Sequence, residues 1–137
     1  MKKIIFCLAL AIACSTTIAS DEMPRLEVMA KDSEEYRNLS IDCLIEMKVS
    51  KEEGWNTKQC LNYQSFVKNT LPVFKNEVKA NASSFREYSK SSDTSEIMEK
   101  RGLKQLQIIN ENMASIKSIT RKIKARQTQN NVFVGTF

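Results

Sequence analysis

From residue 32 onward, apolar side chains return every three or four positions, the spacing of a helix with one buried face. Tyr36, Leu39, Cys43, Leu44 and Met47 mark a first helix that runs to about Val49. Its start is expected at Asp32-Ser33-Glu34-Glu35, where Asp32 caps and Glu35 completes a capping-box-like pattern. Acids in a first turn also suit the helix dipole. Residues 50–56 are polar, contain Gly54 and read as a turn, and Thr57 is a good cap for the next helix. Cys60, Tyr63, Phe66, Val67 and Leu71 mark that helix's inner face. Pro72 then either kinks one long helix or opens a third at its first turn. Phe74, Val78, Phe85 and Tyr88 carry the helical spacing on to a polar break at residues 89–92.

Asp93-Thr94-Ser95-Glu96 repeats the capping signature. Ile97, Leu103, Leu106, Ile109, Met113, Ile116, Ile119 and Ile123 follow as one apolar stripe, weakened slightly by Gly102. The periodicity ends near residue 127, and the apolar tail from Val132 to Phe137 either docks or extends without a visible partner strand. The pattern therefore predicts an all-α fold, a small bundle of three to four helices spanning residues 32–126. Residues 21–31 are expected to be a flexible lead-in and residues 127–137 a C-terminal tail.

Residues 1–20 change the setting. Met1-Lys2-Lys3 precedes an uninterrupted apolar run, Ile4 to Cys14, and small residues follow. This is the pattern of a signal peptide, and the run is shorter than the roughly 20 apolar residues a bilayer-spanning helix needs. Cleavage after Ala19 or Ser20 is expected. Ala11-Ile12-Ala13-Cys14 loosely resembles the lipobox of bacterial lipoproteins, which would make Cys14 a lipidated first residue. Ala11 stands where that motif usually has a branched residue, so a secreted, unanchored chain is the expectation. After cleavage, two of the four cysteines remain. A lone pair in an oxidising compartment most simply forms a disulfide. Cys43 and Cys60 fall on the inner faces of adjacent helices on either side of one turn, so a disulfide-stapled helical hairpin is predicted.

Composition narrows the chemistry. The chain holds no histidine, which removes the ordinary catalytic triad, the Cys–His pair and the usual zinc ligand sets. Three glycines cannot furnish a phosphate loop. No enzyme activity, metal or cofactor is expected. Charge is unevenly placed: residues 112–137 hold no acid, and Lys117, Arg121, Lys122, Lys124 and Arg126 form a basic patch interleaved with isoleucines. Such a helix end complements its own dipole and also suits an anionic membrane or polymer. Nucleic acid is not expected, because the chain is exported and the patch lacks aromatic interleaving. Trp55 beside Gly54 in the stapled turn is either a binding anchor or a small satellite of the core. Asn38 and Asn81 each begin an N-glycosylation acceptor sequence.

Short exported helical domains with one disulfide include inhibitors and immunity proteins, and no motif selects among them. The leading expectation is a non-catalytic protein acting on a protein partner. The alternatives are a carrier of a small apolar ligand and an anionic-surface binder using the basic C-terminal helix.

Overall fold

The computed structural model describes the backbone of residues 19–91 and 94–134, and side chains over 25–50, 53–91 and 94–129. The signal-peptide reading, including Cys14, lies almost wholly outside the described residues, as do Asp93 and residues 135–137. Three long helical rods form the bundle. The first is α1, Ala19–Val49; the last is α4, Glu96–Val134. Between them runs a composite rod of α2, Lys58–Ser65, a π-helical turn, Phe66–Thr70, and α3, Leu71–Tyr88. A short 3-10 helix, Lys51–Asn56, joins α1 to α2. The fold is all-α, as the periodicity predicts.

α1 and α4 lie side by side and run parallel. Glu27 pairs with Arg101 near their N-terminal ends. Asn112 Nδ2 donates to Ser33 Oγ (2.9 Å) further along, and Cys43, Leu44 and Met47 pack with Ile116, Ile119 and Ile123 beyond that. The middle rod returns antiparallel to both. This order divides the core into two clusters. One holds the disulfide, Tyr63, Phe66, and Ile116, Ile119 and Ile123 of α4; the other holds Leu26, Met29, Ala30, Phe74, Phe85 and Ile109. Tyr36 joins them, stacking on Phe66 (4.7 Å between ring centroids) and meeting Phe74 edge-on (5.1 Å).

The predicted lead-in is corrected by this architecture. Residues 21–31 belong to α1, and Leu26, Met29 and Ala30 are buried. The physical reason is a seven-residue recurrence of buried positions, Leu26, Ser33, Ser40 and Met47, matched on α4 by a buried recurrence at Gly102, Ile109, Ile116 and Ile123. Ser33 and Ser40 hold core positions because each hydroxyl is satisfied inside the helix. Ser33 Oγ donates to the Ala30 carbonyl (2.6 Å) and Ser40 Oγ to the Tyr36 carbonyl (2.8 Å). A buried polar group so paired avoids the cost of desolvation without a partner. Asp32 therefore sits in mid-helix and caps nothing. At the other end, the expected stop near residue 126 is also corrected, since α4 continues to Val134.

The caps at the two chain reversals are local. Thr57 Oγ1 accepts from the Cys60 N–H, as expected of that residue. α4 is capped by Ser95, whose Oγ accepts from the Met98 N–H (3.3 Å), and Glu96 and Glu99 occupy its first turn. Thr94 Oγ1 donates to the Tyr88 carbonyl (2.8 Å), closing the end of α3. Pro72 lies at the first turn of α3, directly after the π turn in which the Leu71 N–H reaches back to the Phe66 carbonyl. The proline stands in the first turn of a helix, where its missing N–H costs least, directly after the wider turn.

Gly54 is required where it stands. A Cβ there would lie 2.7 Å from the Glu46 carbonyl oxygen and 2.8 Å from Met47 Cα. Both are backbone atoms, so the 3-10 turn touches the last turn of α1 main chain to main chain. Gly54→Ala should therefore force the turn outward and cost about 1–3 kcal/mol, the range for inserting a methyl into a packed site. For a domain of this size the melting temperature should fall by about 4 °C per kcal/mol. An unchanged melting temperature would show that the turn yields freely.

Candidate functional site

The disulfide is the anchor of the hairpin end. Cys43 on α1 and Cys60 on α2 are bonded, with Cα atoms 4.4 Å apart, and both are fully buried. Trp55, in the 3-10 turn, is half-buried and packs against the cluster that contains the disulfide. Its carbonyl accepts from Gln64 Nε2 (2.9 Å), which ties the turn to α2. With Gly54 buried beneath it, the turn is seated on the core, and Trp55 keeps one side to solvent.

The basic patch is divided by the helix. Lys117, Arg121 and Lys124 face a groove of about 550 Å³ between α4 and the start of α3. Lys75 of α3 supplies a fourth cation from the opposite wall, while Lys122 and Arg126 lie off the groove. Leu71, Met113, Ala114 and Ile116 give it an apolar floor, and no acidic side chain lines it. The floor is recessed at Ile116 (2% exposed) and Leu71 (9%), while Met113 is half-buried and Ala114 is exposed. Thr120 also lines the groove, and its hydroxyl is bonded to Tyr63 Oη (2.8 Å) from beneath. Sequence reading could not find Lys75, since only the return of α3 brings it opposite α4.

A second, smaller groove of about 250 Å³ lies between α1 and α2, lined by Glu35, Asn38, Leu39, Asp42, Gln59 and Asn62. It is polar and acidic, the electrostatic opposite of the first. Asn38 is exposed there, but Ser40 of the same acceptor sequence is fully buried. Asn81 is half-buried and donates to the Glu77 carbonyl (2.8 Å). Among the described residues no cluster of three or more Cys, Asp and Glu side chains could hold a metal ion.

Two apolar residues expected on the inner stripe of α4 face outward. Ile97 is 78% and Leu103 53% exposed, because the true seam follows Gly102, Leu106 and Ile109.

Burial raises the Tyr63 phenol above its ordinary value of 10.0, with the Thr120 hydrogen bond pulling the other way. Burial also raises Tyr36, aided by Asp32, Glu35 and Glu77. An unfolded tyrosine ionises near pH 10 while the folded one still holds its proton, so stability present below that pH is lost as pH rises through the folded value. Urea midpoints should accordingly begin to fall as pH rises past the ordinary tyrosine value of 10.0, and fall less in Tyr63→Phe. An equal fall in both proteins would assign the alkaline loss to other groups.

Among the described residues no helix is long and apolar enough to cross a membrane. Comparison with known protein families, curated proteins and solved structures finds no match, so function rests on the residues themselves.

Proposed function

We propose that this chain is an exported, non-catalytic binding protein that acts on a protein partner, in the manner of an inhibitor or immunity-type module. The observation that carries the reading is the α3–α4 groove, a concave surface with an apolar floor, four cations and no acid in its lining. Interfaces combine an apolar centre with a polar rim in this way, and a single-sign rim steers an oppositely charged partner into place. Export is supported by the N-terminal sequence pattern and by the disulfide, which persists in oxidising compartments. Cleavage after Ser20 would also leave Pro24 among the first four residues of α1, whose N–H groups have no partner within the helix.

The test is affinity capture in the native secretome. The disulfide-bonded protein and a variant carrying Lys117→Gln, Arg121→Gln and Lys124→Gln are compared as baits. A protein retained by the first and lost from the second supports the reading. Retention of nothing by either, under gentle conditions, would falsify it.

The unpaired cations favour one further reading, attachment to an anionic surface through α4. Its signature is binding to anionic vesicles that weakens with salt, since exposed charges are screened over about 8–10 Å at physiological ionic strength.

A further inference from the structure

We infer that the α3–α4 groove is the seat of an acidic amphipathic helix from the partner, which docks to complete a four-helix bundle. This rests on the protein-binding reading above and names what the groove recognises. Three rods already form the bundle, and the groove lies where a fourth would pack against two antiparallel neighbours. Lys117, Arg121 and Lys124 stand at i, i+4 and i+7 on α4, a rise of about 10 Å. Carboxylates at i, i+4 and i+7 on a docked helix span the same distance, so one helix face meets all three cations in register. Lys75 meets the same helix from the other wall. The apolar stripe of such a helix faces Met113, Ala114 and Leu71, the helix-in-groove mode of recognition.

Two other occupants fit the observations less well. A fatty acid carries one charge and would leave most of the four cations crowded around its chain. A flat lipid surface could touch the rim, but the floor residues Ile116 and Leu71 are too recessed to reach it. A linear, multiply charged segment with its own apolar stripe uses every feature of the groove.

The experiment uses a designed helix of about 18 residues, roughly 27 Å long. It has leucine on one heptad stripe and glutamate at the flanking positions, and a matched peptide carries lysine for every glutamate. Binding to the disulfide-bonded protein is followed by fluorescence anisotropy. The glutamate peptide should bind, and bind less tightly as salt rises; the lysine peptide should not bind. Lys117→Gln with Arg121→Gln and Lys124→Gln should weaken binding at least about tenfold, or 1.4 kcal/mol. Ala114→Trp fills the groove and leaves every cation in place, so it should weaken binding as much. All four positions are exposed, and unchanged helical circular dichroism and melting confirm that the variants fold.

If Ala114→Trp binds as tightly as the parent, the attraction is diffuse charge and the seat is overturned. The seat is equally overturned if phosphatidylglycerol vesicles bind through these cations while the glutamate peptide does not. A partner captured from the secretome and still retained by Ala114→Trp would sink the groove assignment and leave the protein-binding reading standing.

Discussion

Replacing Cys43 and Cys60 together by alanine should lower stability by about 2–5 kcal/mol, the usual loss for a native bridge in a small secreted domain. The bond spans 17 residues of sequence, and a loop of that size restricts the unfolded chain by roughly 3 kcal/mol. The native state adds to this. Both cysteines are fully buried among Leu44, Met47 and Tyr63, so truncation leaves unfilled space beside the 3-10 turn. Alanine is the cleaner variant, because serine would place two hydroxyls in an apolar site at a separate cost. Total stabilities of single domains are only about 5–15 kcal/mol, so the change should be plain in a urea titration. Prepared without residues 1–20, the protein should also show no titratable thiol and should run faster unreduced than reduced on a denaturing gel. A double-alanine midpoint within error of the parent would mean that packing alone holds the hairpin closed.

The hairpin is legible in the sequence because its signals are local. Thr57 caps, Gly54 marks the turn, and the two cysteines share the helical spacing of the residues around them. The bundle class follows from period alone. Other features depend on tertiary contact. The π turn at residues 66–70 has no sequence signature apart from the nearby Pro72. The parallel pairing of α1 with α4 cannot be read from either helix singly. Lys75 enters the basic groove only when α3 returns beside α4. The start of α1 is hidden because local polarity masks the period there. Ser33 and Ser40 interrupt an apolar stripe, and Asp32-Ser33-Glu34-Glu35 imitates a helix start, so the predicted seam stops at residue 32. In the fold those serines donate to carbonyls of their own helix and let it pass close to Asn112 and α4. The outward-facing Ile97 and Leu103 show the converse, apolar residues near the expected spacing but off the seam.

The same segment gives the sharpest contrast between sequence and structure, at Leu26. On a flexible lead-in, Leu26→Ala would change stability little, as surface substitutions usually do, within about 0.5 kcal/mol. In the fold Leu26 is fully buried, packed with Met29, Ala30, Phe74, Phe85 and Ile109 where α1, α3 and α4 meet. Removing its isobutyl group forfeits transfer free energy and opens a cavity among rigid neighbours, together worth about 2–5 kcal/mol. Arg101 and Glu27 pair beside it, but that pair is partly exposed and supplies well under about 1 kcal/mol, so it cannot hold the helix end alone. Fraying should follow: in Leu26→Ala, amide exchange should quicken over residues 25–33 and, across the core, in the turns of α4 around Ile109. The disulfide cluster around Cys43, a separate packing unit joined through Tyr36, should keep its protection at denaturant levels where the Leu26 end has opened. A Leu26→Ala protein with parental stability and unchanged exchange at residues 25–33 would return that stretch to the status of a loose arm.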